Sequence, residues 1–270
     1  MLVQRVITAL VLLPLLIGAI FFAPTVWLYA IFCGAGLAAA WEWSAIAGKK
    51  GVAQIAYVVL TSMLLALTWL ARGWWPWIMA VSAIWWIYAT WLLTQFPENF
   101  DGKLPPTISM AILGQVLFLP TILATAELHA MHDGAYRLLY VFGVVFAADT
   151  GAYLAGRALG KHKLAPAISP GKSVEGAVGG LLLVVAWSLT AGVFAFQADD
   201  RLEIVEVVIL SLLVGVVSIV GDLTESMFKR LAGVKDSGTL LPGHGGALDR
   251  IDSLVAAFPV MALGVHLLGW

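Results

Sequence analysis

Residues 204–252 read IVEVVILSLLVGVVSIVGDLTESMFKRLAGVKDSGTLLPGHGGALDRID, and the change of character inside this stretch decides how the chain is built. Up to Val220 it is almost wholly apolar, and about 20 such residues make a helix long enough to cross a bilayer. At Gly221 it turns polar, with Asp222 and Glu225 leading in. Between Ser226 and Asp252 follow four basic residues (Lys229, Arg230, Lys235, Arg250), three aspartates (Asp236, Asp249, Asp252) and a turn at His244-Gly245-Gly246. After Asp252 the chain is apolar again. Carboxylates and cations this dense, between two membrane-length segments, suit a charged ligand at a bilayer surface.

Outward from this stretch the chain is mostly apolar. Its 270 residues are 61% hydrophobic and 11% charged, with a mean hydropathy of +0.95. Soluble domains average about 25% charged residues, so a polytopic membrane protein is expected. Nine segments read as spanning helices, near 6–23, 26–47, 53–71, 74–95, 107–126, 138–158, 175–196, 204–223 and 252–269. Irregular backbone in lipid would strand N–H and C=O groups, so the fold class is an all-α bundle of about nine transmembrane helices. Short connections at Ala23-Pro24-Thr25 and Arg72-Gly73 force antiparallel hairpins. The N-terminal run reads as a retained first helix, since no small-residue cleavage site follows it. The single cysteine, Cys33, excludes an internal disulfide and a Cys-rich metal site. Trp74, Trp75 and Trp77 suit an interfacial belt and packing. Glu42, between Trp41 and Trp43, reads as an interfacial carboxylate. There is no internal repeat and no soluble domain.

Charge sets the orientation. If the helices alternate, Arg72, Arg137 and Arg201 lie on one side and the other twelve of the 15 Lys and Arg residues on the opposite side. The positive-inside rule places the richer side in the cytoplasm, with the N-terminus inside and the C-terminus outside. Residues 1–106 are expected to act as scaffold or dimer contact. Residues 107–270 form the catalytic region, with cytoplasmic loops at 159–175 and 225–251.

The sixth helix carries Asp149 eight residues before Arg157, about 12 Å deeper at the helical rise. An ionisable residue at that depth is costly and marks a functional position. Gly151, Ala155 and Gly156 on the same helix suit close helix packing. The next loop, Gly160 to Gly176, is basic through Lys161, His162, Lys163 and Lys172; His162 reads as interfacial rather than as a metal ligand. Its Gly171-Lys172-Ser173 lacks the earlier glycine (Pro166 stands there) and the preceding strand of a P-loop. Asp222, Glu225, Ser226 and Lys229 recur at offsets of three and four and share one helix face. Carboxylates alone would repel an anionic ligand and cations alone would only bind one. Together they point to a metal that turns carboxylates into anchors for phosphate, the habit of Mg²⁺. Gly245 and Gly246 allow backbone to approach phosphate oxygens.

Ser226, Lys229-Arg230, Lys235-Asp236, Pro242, His244-Gly245-Gly246, Asp249-Arg250 and Asp252 resemble, in identity and spacing, the signature of the phosphatidate cytidylyltransferases, or CDP-diacylglycerol synthases. The segment from Asp149 through Ser173-Val174-Glu175-Gly176 is similar to that family too. The resemblance covers the C-terminal half; the N-terminal helices share only their apolar character. It implies transfer of a cytidylyl group from CTP to phosphatidate in the bacterial cytoplasmic membrane, with membrane lipids around the protein and no nucleic acid. It also implies that Asp222 and Asp249 bind the metal, with Mg²⁺ essential and K⁺ assisting, and that Asp149 lines the same cavity. Lys172, Lys229, Arg230 and Arg250 are assigned to the triphosphate and the lipid phosphate. Ser173, Ser226, Lys235, Asp236, His244, Gly245 and Gly246 are expected at the substrates, with His244 shaping its turn there. The alternatives are a CTP-dependent polyprenol or lipid kinase and an ion-coupled transporter. Inverted repeats and interrupted helices in both halves would mark the transporter.

Overall fold

The structure, a computed structural model, describes residues 2–240 and 245–270. Each of the nine expected segments is helical. The series begins α1 (Leu2–Phe22), α2 (Thr25–Ile46), α3 (Val52–Leu70), α4 (Trp75–Thr94), α5 (Thr107–Ala130) and α6 (Gly134–Leu159). The seventh span is α7 (Val174–Trp187), a π-helical turn at Ser188–Gly192 and α8 (Val193–Phe196). It is followed by α9 (Arg201–Leu231), the short α10 (Leu248–Ile251) and α11 (Leu254–Leu268). Among the described residues, eight of these units are long and apolar enough to cross a membrane. The protein is an integral membrane helical bundle.

The helix ends follow from local chemistry. At the start of α9, Asp200 accepts the Glu203 N–H at 2.9 Å and the Glu203 carboxylate accepts the Asp199 N–H at 2.8 Å. These reciprocal bonds satisfy N–H groups that a helix start leaves open. At the other end the chain turns at Gly233, whose φ of +71° suits glycine, and the N–H of Val234 returns to the Lys229 carbonyl. The helix therefore overruns the expected boundary at 223, and Glu225 to Arg230 are helical rather than loop. The loop before α7 also gains order: β1 (Lys163–Ala165) pairs antiparallel with β2 (Ser169–Ser173). Ser173 then caps α7 by accepting the Gly176 N–H at 3.1 Å.

Inside the bundle α11 packs against α4, α5 and α9, α2 packs against α3 and α5, and α6 lies along α7. The α6–α7 contact needs its small residues: a Cβ on Gly151 would meet the Gly179 carbonyl oxygen at 2.6 Å, and one on Gly180 would meet that of Ala148 at 2.5 Å. Trp43, fully buried, sits edge-on to Phe118 and Phe228 and so joins α2, α5 and α9. The tryptophans after Arg72 divide their work. Trp74 and Trp77 are exposed as belt residues, while Trp75 is buried and donates its Nε1 to the Thr68 carbonyl at 2.7 Å.

Candidate active site

Two clusters of charge stand at the end of the bundle where α6, the β-hairpin, α9 and α10 come together. The first is open. Lys172 on β2 reaches Asp222 on α9, Nζ to Oδ2 2.6 Å, with the two side chains 29% and 27% exposed. Ser226, one turn along α9, donates to Asp222 Oδ1 at 3.4 Å. Lys172 and Ser173 also line a cavity of about 380 Å³, together with Asp149, Tyr153 and Gly156 of α6 and Ile219 of α9. Asp149 and Asp252 both lie within electrostatic reach of Asp222 and Lys172. Asp222 thus pairs with Lys172 beside a cavity of ligand size, with Asp149 on the cavity wall and Asp252 near both Lys172 and Lys229.

The second cluster is closed. Lys229 lies between Glu225, four residues back on α9, and Asp249 of α10, with Nζ 2.6 Å from Asp249 Oδ1. Asp249 Oδ2 accepts the Ser237 N–H at 3.0 Å and the Gly246 N–H at 2.9 Å. Lys229, Asp249 and Glu225 are only 12%, 10% and 5% exposed. Charges removed from water are held only when paired and hydrogen-bonded; Lys229 pairs with both carboxylates, and the loop that follows α9 gives its N–H groups to Asp249.

That loop rests on a residue from the far end of the chain. Glu42 is 3% exposed. Its Oε2 accepts the Ser237 hydroxyl at 3.0 Å and the Leu248 N–H at 2.8 Å. The Ser237 hydroxyl in turn accepts the Asp249 N–H at 3.3 Å. One polar chain therefore runs from α2 through Ser237 and Asp249 to Lys229 and Glu225. Gly246 permits it, because a Cβ there would fall 2.0 Å from Ser237 Oγ and 2.5 Å from Glu42 Oε2. The sequence places Glu42 at the interface; the structure corrects this, since the loop and α10 close over it.

The remaining expected residues are dispersed. Arg230 donates its Nε to the Ile168 carbonyl at 3.2 Å, tying the hairpin turn to α9. Lys235 and Asp236 are exposed in the loop, Gly245 adopts φ +82°, and Arg250 faces a different, apolar cavity. His244 and Pro242 lie outside the described residues. His162 pairs with Glu175 at 2.5 Å, and that carboxylate also accepts the backbone N–H groups of Lys161 and His162 at 3.0 and 3.2 Å, pinning the chain after α6.

Hard oxygen donors, paired ammonium groups and a cavity at a helical membrane face describe a site for phosphate compounds. The profile of the cytidylyltransferase family matches residues 3–268. The chain belongs to this family. The match extends through the N-terminal helices, where the signature residues alone give no sign of it. The chain is 40% identical to the phosphatidate cytidylyltransferase of Pseudomonas aeruginosa over 278 residues, covering 100% of this chain and 99% of that protein. It is 39% identical to that of Haemophilus influenzae, covering 96% of each. A stretch of 129 residues is 46% identical to the phosphatidate cytidylyltransferase of Staphylococcus haemolyticus, covering 48% of each.

A cation held beside phosphate is what the family resemblance implies, and the donors present fit one. Among the described residues no three His, Cys, Asp or Glu side chains converge as a closed metal cage. Mg²⁺ takes one or two carboxylates and completes its shell with water and substrate phosphate. The partly exposed Asp222, with two further carboxylates in electrostatic reach, offers that kind of partial site. Glu42 and Ser237 are the site residues that sequence reasoning missed. The signal for Glu42 was slight: a carboxylate a turn inside the end of an apolar helix.

Proposed function

We propose that this chain is a phosphatidate cytidylyltransferase. It joins CTP and phosphatidate to give CDP-diacylglycerol and pyrophosphate. A phosphate oxygen of phosphatidate attacks the α-phosphorus of CTP, the bond from that phosphorus to the β-phosphate oxygen breaks, and pyrophosphate leaves. Phosphatidate is already anionic near neutral pH, so no strong base is needed. The obstacle is repulsion between two polyanions, and the site must offset it.

The observation that carries this reading is Lys172, which lines the cavity together with Asp149 and pairs with Asp222. Magnesium at Asp222, with K⁺ assisting, would supply charge neutralisation at the phosphates, whereas Asp249, the second carboxylate of the expected metal pair, is taken up by Lys229 and the N–H groups of Ser237 and Gly246. Lys172 is then free to turn from Asp222 to a phosphate oxygen. Lys229 holds Asp249 in place, and Arg230 fixes the hairpin that carries Lys172. The excess of Lys and Arg on one side supports a site that faces the cytoplasm, across a bacterial cytoplasmic membrane, where CTP is available.

Purified protein in detergent, given phosphatidate, Mg²⁺ and CTP labelled at the α-phosphorus, should move label into the lipid with release of pyrophosphate. Asp222→Asn and Asp249→Asn should abolish this. Labelled CDP with unlabelled lipid would instead identify a kinase, and no CTP turnover by folded protein would overturn the enzyme reading.

A further inference from the structure

The polar cavity lies between two walls. One is α6, through Asp149, Tyr153 and Arg157; the other is the end of the hairpin, through Gly171, Lys172 and Ser173. Gly156 lets them approach, since a Cβ there would fall 3.1 Å from Ser173 Oγ. Each wall carries a cation. Lys172 is paired with Asp222. Arg157 has no such partner: among the described residues its polar contact is the bond from Nη1 to the Tyr153 hydroxyl oxygen, 3.1 Å long, and no carboxylate lies within ion-pairing distance of it.

Two ordinary roles leave this arrangement unexplained. An arginine near the end of a membrane helix commonly extends its head outward to water and lipid headgroups, and one in the last turn can meet the terminal carbonyls. Arg157 does neither. Its guanidinium folds back along the cavity wall to Tyr153, four residues and about 6 Å of helix nearer to Asp149. That bond occupies one of five guanidinium N–H groups and leaves a planar fork that matches two oxygens of a phosphate. Tyr153 accepts through its oxygen, so its own O–H stays available to a second acceptor.

Charge decides which part of a nucleotide this pair would meet. Two arms extend from the α-phosphorus of CTP: cytidine is neutral, and the β- and γ-phosphates carry the negative charge. A guanidinium without a carboxylate partner is complementary to the second arm. We propose that Arg157 takes the β- and γ-phosphates of CTP, the part that leaves as pyrophosphate, and that Tyr153 is a positioning residue that keeps the guanidinium turned into the cavity. This rests on the cytidylyltransferase reading above and adds to it the seat of the leaving group. Its consequence is selection of the nucleoside triphosphate over the monophosphate.

Equilibrium binding of CTP and of CMP to the purified protein in detergent with Mg²⁺ tests this without turnover. Arg157→Met should lower the ratio of the two affinities about tenfold or more. Arg157→Lys keeps a charge but loses the fork and should recover only part of the ratio. Both variants change an exposed side chain and should keep the wild-type Tm; a ratio that stays at the wild-type value would overturn the proposal. A second measurement uses the wild-type chain alone. Inorganic pyrophosphate with Mg²⁺ should shield Arg157 from phenylglyoxal, read by the mass of its peptide, and CMP should not. Tyr153→Phe should raise KM for CTP about threefold and leave KM for phosphatidate in place; equal shifts in both would overturn the positioning role. Wild-type protein that binds no CTP would refute the cytidylyltransferase reading as a whole. CTP binding with Arg157 still fully open to phenylglyoxal would overturn this inference alone.

Discussion

The two charged clusters share a composition and differ in access. Lys172–Asp222 joins a hairpin to a helix across the edge of a cavity, with more than a quarter of each side chain exposed. Lys229, between Glu225 and Asp249, is almost sealed, and Asp249 is held in turn by backbone N–H groups. An exposed pair contributes little to stability and exchanges partners readily. A buried pair is strongly destabilising to break because one charge is then left alone out of water. The open cluster is thus suited to meeting ligands, and the closed one to holding the loop around it. Ion pairs of similar length can serve opposite ends, and burial decides which.

The largest effect is expected at the centre of the closed cluster. Lys229→Met leaves Glu225 and Asp249 buried without their ammonium and should cost about 3–5 kcal/mol. Thermal unfolding in detergent should show it as a marked drop in Tm together with loss of activity. Asp222→Asn should lower kcat by about 100-fold or more while moving Tm far less than Lys229→Met does. If the two variants unfolded alike, the contrast between the clusters would fail.

Glu42 gives the next test. Glu42→Ala leaves the Ser237 hydroxyl and the Leu248 N–H without their acceptor and should cost about 1–3 kcal/mol. Limited proteolysis should then cut between Ser237 and Asp249 in a protein that otherwise keeps its helical circular dichroism. Glu42→Gln keeps a carbonyl acceptor and should recover most of the protection. Equal sensitivity in both variants would mean that Glu42 fills space and does not organise the loop. The smallest effect is expected from Glu175→Gln, whose carboxylate meets His162 and two backbone N–H groups near the surface. It should leave Tm close to that of the wild type, with any small difference masked further by salt.

The spans were legible because membrane helices write themselves as apolar runs: each of the nine segments is helical, and among the described residues eight are long and apolar enough to cross. Their ends were less so. The overrun of α9 to Leu231 depends on side-chain pairs at i,i+4, Asp222 with Ser226 and Glu225 with Lys229, which continue a helix after hydropathy has stopped. The hairpin at 163–173 could not be read from a short strand of Lys-Leu-Ala and a second containing proline and glycine. Which charges belonged together was legible from spacing only within α9. The pairing of Lys172 with Asp222, and of Lys229 with Asp249, required the tertiary fold. Glu42 was hidden for the same reason, since nothing near it in sequence is its partner.

That separation bears on how the protein is made. Ser237 lies 195 residues beyond Glu42 and Leu248 lies 206 residues beyond it. At about 5–20 residues per second, a ribosome needs roughly 10–40 s to cover such a distance. For that interval α2 exists with a carboxylate whose eventual partners have not been synthesised. A nascent chain halted before Ser237 would lack both of the donors that meet this carboxylate in the finished fold.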